Sequence, residues 1–276
     1  MKYQTIKIEG IFAADILDKI EREEIEGQKL PDFRSNDKNA KNVKDIIVSS
    51  WANMQSFWSV FKRKIESLPE SERGTIQTRK FWIESILSDL DYSLEVSHNF
   101  EEINEKRYPI SHRDTKLDGF PIHIVGFLES LDKKSSDGSY KASPHGMLQD
   151  YLNMSEHLYG IVTNGYKLRL LRNSMKLIKL CFLEFDLEYM LENACFSDFC
   201  LMFRLIHASR MPISKAAASE SLIEKYHQDS LDSGERIRDG LSKAVEAAIV
   251  MLANGFISHR DNFELKEKIK DEKFVK

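Results

Sequence analysis

The chain has 276 residues, 42% hydrophobic and 30% charged, with a formal net charge of −4. Its length suits one main core with an appendage, and its composition is that of an ordinary globular protein. So mild a charge excludes a protein that coats nucleic acid over its whole surface, which would need many more Lys and Arg to neutralise phosphates. Any DNA contact must come from local patches.

The N-terminal MKYQTIKIEG alternates like a strand and lacks the basic, apolar and small-residue order of an export leader. No apolar run approaches the roughly 20 residues of a membrane span. The expectation is a cytoplasmic protein with no membrane partner. A helix should begin near Phe12, and residues 31–42, rich in Asp, Asn, Lys and Ser, should form a surface loop. A helix is expected over residues 43–67. Trp51, Met54, Phe57, Trp58 and Phe61 recur on it at three- and four-residue spacing, which sets them on one side as a core stripe.

Phe81, Trp82, Ile83, Ile86, Leu87 and Leu90 form a second amphipathic helix. Strands are expected over residues 92–96, 107–112 and 120–128, then a loop over 133–139. Ser143-Pro144 opens a helix that runs to about Asn153, since Pro fits the first helical turn. Asn164-Gly165 lies between two apolar segments, the signal of a tight hairpin. A strand over 177–185 leads into helical sequence from Asp186 to about Lys268, with breaks expected at Met211-Pro212 and Asp232-Ser233-Gly234. Cys181, Cys195 and Cys200 are odd in number and lack metal-ligand spacing, so free thiols are expected, with no zinc site.

The run Gly160-Ile161-Val162-Thr163-Asn164-Gly165, preceded by Gln149 and Tyr151 on a helix, resembles the nuclease-like N-terminal regions of large restriction-modification proteins. The segments Tyr108-Pro109-Ile110-Ser111-His112-Arg113, Phe182-Leu183-Glu184-Phe185-Asp186 and Ile237-Arg238-Asp239-Gly240-Leu241 are similar to one subgroup, type IIG-like proteins with an adenine-methyltransferase core, phage-defence methyltransferases of the DISARM kind included. The resemblance runs from about residue 80 onward. It implies an α+β fold, a small mixed sheet flanked by helices of the PD-(D/E)xK nuclease-like type, with a mainly helical second half. It also implies double-stranded DNA and a methyltransferase domain or subunit as partners. In that subgroup the methyltransferase follows, with a Gly-rich cofactor loop and an Asn/Asp-Pro-Pro-aromatic motif that grips a flipped adenine. Neither is present here, and the chain closes in charged helical sequence, so the expectation is a fragment or split-gene product that does not methylate DNA alone.

A PD-(D/E)xK nuclease needs an acidic residue on one strand and Glu/Asp-x-Lys on the next, because period-two alternation then aims both at one metal ion. The central strand Phe120-Pro121-Ile122-His123-Ile124-Val125-Gly126-Phe127-Leu128 has no carboxylate and no lysine. Glu129, Asp132 and Lys133 lie beyond it at the wrong spacing, while Asp114-Thr115-Lys116 has the right spacing in an expected loop. His112, His123 and His145 show no ligand pairing and read as core histidines. No catalytic residue, metal ligand or cofactor is therefore assigned, and the core is expected to be degenerate. Lys167, Arg169, Arg172, Lys176 and Lys179 follow the turn with no acidic residue between them, and form the expected DNA-binding patch. Three regions are expected: an extension (1–75), the nuclease-like core (76–192) and a helical connector (193–276). A non-catalytic DNA-binding module leads. A Mg²⁺-dependent endonuclease and a protein-interaction scaffold are the alternatives.

Overall fold

The computed structural model describes residues 3–34, 40–69, 72–134, 140–174 and 181–262, together with 264 and 268. It is α+β, built on a mixed seven-stranded sheet. In chain order the elements are β1 (Ile6–Glu9), α1 (Ala14–Glu21), a 3₁₀ turn (Leu30–Phe33) and α2 (Val43–Glu66). Next come α3 (Thr75–Thr78), a π-helical segment (Arg79–Ile83), α4 (Glu84–Asp89), β2 (Leu94–Val96), β3 (Glu101–Ile103), β4 (Lys106–Tyr108), β5 (His112–Asp114) and β6 (Phe120–Ile124). The chain continues through α5 (Pro144–Met154), β7 (Tyr159–Thr163), β8 (Lys167–Arg172), β9 (Phe182–Asp186), α6 (Leu187–Glu192), α7 (Phe196–Ile206) and α8 (Leu222–Ser258).

The sheet order is β1-β9-β8-β7-β6-β5-β2, and β3 with β4 forms a separate ribbon. Among the described residues of the sheet, only β6 and β7 pair in parallel. A parallel pair needs a crossover, and α5 supplies it. Ser143 caps α5 by accepting from the Gly146 N–H at 3.1 Å, with Pro144 at the first turn as expected. One sheet face buries Ile122, Ile124, Ile161, Leu168, Leu170, Leu183 and Phe185 in the main core. The other face presents Val162, Leu171 and Phe182 to Met147, Leu148, Tyr151 and Leu152 of α5. The expected aromatic stripe packs into the main core: the Trp58 and Phe61 rings lie 5.1 and 5.9 Å from Trp82.

The expected hairpin is β7–β8, with Thr163 opposite Leu168. Only Gly165 takes positive φ, at 88°. Asn164 contributes through its side chain, whose Oδ1 accepts the N–H groups of Tyr166 (3.1 Å) and Lys167 (2.8 Å). Trp82 Nε1 donates to the Gly165 carbonyl at 2.6 Å and ties the turn to the core.

Several expectations change, and the strand expected over 120–128 ends at Ile124. The strand expected over 107–112 is two strands, β4 and β5, interrupted at Pro109, which cannot donate to a ladder. Residues 1–75 are not an extension: β1 is an edge of the main sheet, antiparallel to β9, and α2 packs on the core. The chain divides instead into compact units Met1–Ser230 and Leu231–Lys276. Asp232-Ser233-Gly234 does not break α8, because each such residue costs a helix only up to about 1 kcal/mol. Finally, α8 is long and apolar enough by composition to cross a membrane, and its apolar stretch has no buried residue. A search for uncharged runs passes over it because Lys243 and Glu246 interrupt the stretch.

Candidate nucleic-acid interface

Alternation along β5 and β6 sets what each strand residue faces. Asp114 lies opposite Phe120, and His112 opposite Ile122, so both turn toward the main core. The Asp114 carboxylate is wholly buried and accepts the backbone N–H groups of Ser93 (2.6 Å), Lys116 (2.8 Å) and Leu117 (2.9 Å). Burial pushes its pKa up, against the pull of those three bonds. The lysine of Asp114-Thr115-Lys116 points elsewhere, with Nζ 3.7 Å from Asp91. Asp114 therefore holds the β5–β6 turn and does not form half of a metal site. Of the carboxylates beyond β6, Asp132 is bound by both Arg169 Nη atoms, at 2.6 and 2.8 Å. No group of three His, Cys, Asp or Glu side chains suited to a metal occurs among the described residues.

Among the described hairpin cations, Arg169 and Arg172 are drawn into buried ion pairs. Lys167 and Arg169 share a strand face, as alternation requires, but that face lies beneath α5 and the segment before it. Arg169 is 4% exposed. Its Nε donates to Glu184, which lies opposite on β9, its Nη atoms hold Asp132, and Nη1 lies 3.2 Å from His145 Nδ1. The hydrogen bonds from Arg169 draw the Asp132 pKa down. Burial, with the Arg169 charge beside it, pushes the His145 imidazole down to about 4. Lys167, half exposed, has Nζ 3.5 Å from Glu184 Oε1.

Arg172 turns to the opposite face, where Nε and Nη2 grip Glu224 at 2.9 and 2.7 Å beside Tyr159, whose hydroxyl donates to the same carboxylate at 2.7 Å. Burial pushes the Glu224 pKa up, but these hydrogen bonds outweigh it and hold the group below its ordinary value. Arg169 and Arg172 are thus scaffold arginines and leave the expected DNA-binding set. Lys176 and Lys179 lie outside the described residues.

Further polar groups around α5 are paired as well. Gln149 Nε2 donates to the Arg172 carbonyl at 3.1 Å. The Tyr151 hydroxyl joins Arg113 Nη1 (2.9 Å) to Glu101 (3.1 Å), and burial pushes its pKa up to about 12. Asp150 accepts from Tyr108 (3.0 Å), Tyr140 (2.7 Å) and Lys106 (3.1 Å). His112, His123 and His145 are all buried, as expected of core histidines. His112 Nε2 sits 3.4 Å from Glu84, and burial together with the Arg79 charge lowers its pKa.

Sequence reasoning missed a cavity of about 170 Å³ past the carboxyl end of β6, lined among others by Arg73, Thr75, Arg79, His123, Glu129 and Tyr140. Arg79 Nε and Nη2 both donate to the Ile124 carbonyl, at 3.0 and 2.8 Å, which fixes the guanidinium at the strand end. Beside it, the segment from Glu129 to Ala142, whose two ends line the cavity, carries the exposed Lys133, Lys134 and Lys141. None of these lysines forms an ion pair with a described carboxylate. The signal was present as Lys133-Lys134 and Lys141 in a loop, where no periodicity marks which charges stay solvated. Comparison with protein-family models, with curated proteins and with solved structures finds no match.

Proposed function

We propose that the chain is a non-catalytic, nuclease-like DNA-positioning module of a cytoplasmic bacterial restriction-modification or phage-defence system, acting with a methyltransferase domain or subunit. The carrying observation is the order α4-β2-β5-β6-α5-β7, with the β3–β4 ribbon inserted between β2 and β5 and with β6 and β7 parallel, in which β6 holds Phe120-Pro121-Ile122-His123-Ile124 where a Glu-x-Lys pair would serve a metal. This order and the resemblance of Gly160–Gly165 support the PD-(D/E)xK-like reading. Among the described residues a divalent ion finds no converging carboxylates to offset its dehydration, and Mg²⁺ gives up water reluctantly. The exposed Lys133, Lys134 and Lys141 replace the hairpin arginines as the phosphate contacts, and they favour backbone binding over base reading.

The test is duplex binding by the whole chain across a salt series. Binding should be weak and salt-sensitive, and Lys133→Ala/Lys134→Ala/Lys141→Ala should lower the salt slope by about two to three. Plasmid should stay intact with Mg²⁺ or Mn²⁺. Metal-dependent cutting that Asp114→Ala, Glu129→Ala or Asp132→Ala abolishes would establish the endonuclease alternative instead. A second reading, a scaffold that docks other subunits, is favoured by one observation: in the unit from Leu231 onward, Ile237, Leu241, Ile249, Leu252 and Phe256 are each more than 60% exposed.

A further inference from the structure

We infer that the exposed part of α8 pairs with the same segment of a second copy of this chain, antiparallel about a two-fold axis near residues 246 and 247; this rests on the scaffold reading above and not on DNA binding. From Gly234 to Phe256 every residue of the helix is exposed. Ile237, Leu241, Val245, Ile249, Leu252 and Phe256 recur there at three- and four-residue spacing and fall within an arc of about 120°. A helix draws most of its stability from packing such a face, and Gly234, Gly240 and Gly255 each weaken this one further. The segment needs a partner.

Charge selects the kind of partner. Arg236, Arg238 and Lys243 are balanced by Glu235, Asp239 and Glu246, so the segment has no net charge with which to hold DNA phosphates or an anionic lipid surface. A membrane span is interrupted as well. Glu246 and His259 leave only residues 247–258 uncharged between them, about 18 Å of helix against a hydrocarbon core of about 30 Å.

A second copy fits both charge and shape, because a two-fold contact requires a face that complements itself. Antiparallel pairing sets the charged residues 235–246 beside the uncharged 247–258, whereas parallel pairing sets each charge beside its own copy. About this axis Ile237 lies opposite Phe256, Leu241 opposite Leu252, and Val245 opposite Ala248, large against small at the centre. Arg238, the one charged residue on the apolar arc, comes opposite Gly255, beside which a Cβ would meet nothing within 4 Å, and its guanidinium stays in water 3.9 Å from Glu235. At roughly 100 Å² per fully exposed side chain, the six large residues of two copies offer about 700 Å². Ala244, Ala248 and Met251 beside them bring the contact near the roughly 1,000 Å² that a specific interface needs.

The experiment is sedimentation equilibrium of the full chain over about 1–200 µM, where an interface of this size should give a dimer that dissociates near about 10 µM. Leu241→Glu/Leu252→Glu should weaken it at least about thirtyfold, because the axis brings all four carboxylates together. Leu241→Lys/Leu252→Lys should do the same. Mixing the two variants should restore a dimer containing one of each, which a helix that had merely unfolded would not do. A chain that stays monomeric at the highest concentration overturns the inference and leaves the face to a different subunit. A dimer that the charged variants leave unchanged, or variants that fail to combine, overturns it too. Flotation with vesicles of equal parts phosphatidylcholine and phosphatidylglycerol, lost in the Glu variant while the chain stays monomeric, assigns the face to a membrane instead. Duplex binding by the Glu variant reads the DNA-binding function separately.

Discussion

Arg169→Met separates a buried scaffold arginine from a phosphate contact. Methionine keeps much of the length and none of the charge, so the variant removes the Nε bond to Glu184 and the paired Nη bonds to Asp132. Asp132 is mostly exposed and rehydrates. Glu184, with a side chain only 7% exposed, does not, and the cations left beside it are Lys167 at 3.5 Å and its cross-strand neighbour Lys7. Stranding one member of a buried pair costs about 3–5 kcal/mol, and Lys167 brings the figure to the lower end. In a compact unit of this size each kcal/mol shifts the melting temperature by about 2–4 °C, so a loss of about 6–12 °C is expected. Adding Glu184→Leu should recover most of it, because removing both charges leaves nothing unpaired. Circular-dichroism melts read the stability, and the salt slope of duplex binding reads the contact. A melting shift under about 2 °C, together with a salt slope reduced by about one, would refute the reasoning and return Arg169 to the DNA surface.

Acid should weaken the first unit well before its carboxylates protonate. Burial lowers His145 to about 4 and His157 and His207 to about 3, whereas each sits near 6.5 when unfolded. Their folded values are depressed, so their contribution is complete above about pH 6.5 and is lost as pH falls toward 4 and 3, by about 2 kcal/mol per histidine at pH 5. A urea midpoint unchanged from pH 7.5 to pH 5 would contradict this. Gly165→Ala should cost at least about 1–2 kcal/mol from the left-handed backbone alone, with more from a Cβ 2.8 Å from Thr78 Cγ2, and it should loosen the Trp82 bond to residue 165. Near-ultraviolet circular dichroism and urea unfolding check it, and an unchanged midpoint would contradict it.

The sequence was legible wherever a local signal fixed a local structure. The stripe through Trp58 and Phe61, the Ser143-Pro144 start of α5 and the Asn164-Gly165 turn are each set within a few residues, and each is found where the spacing places it. The failures share a cause. Alternation along β8 places Lys167 and Arg169 on one face, yet only the tertiary fold tells whether water or α5 lies over that face. The partners of Arg169 lie 15 and 37 residues away, and that of Arg172 lies 52 away. Likewise β1 finds its place only through β9, with Ile6 opposite Phe185, so residues 1–75 read in isolation as an extension.

The layout of charge under α5 bears directly on whether the core can cut DNA. Glu101 is taken by Arg113 and Tyr151, Asp150 by Tyr108, Tyr140 and Lys106, and Glu184 and Asp132 by Arg169. A divalent ion entering that layer would compete with a guanidinium or a phenol already at hydrogen-bond distance, and success at Glu184 would leave Arg169 buried without its partner. Such an exchange sets the gain of a metal–carboxylate bond against the loss of a buried pair, in a layer where unpaired charge is costly. Here Glu101, Asp150, Glu184 and Asp132 each turn to a separate partner, and the layer braces α5 against the sheet.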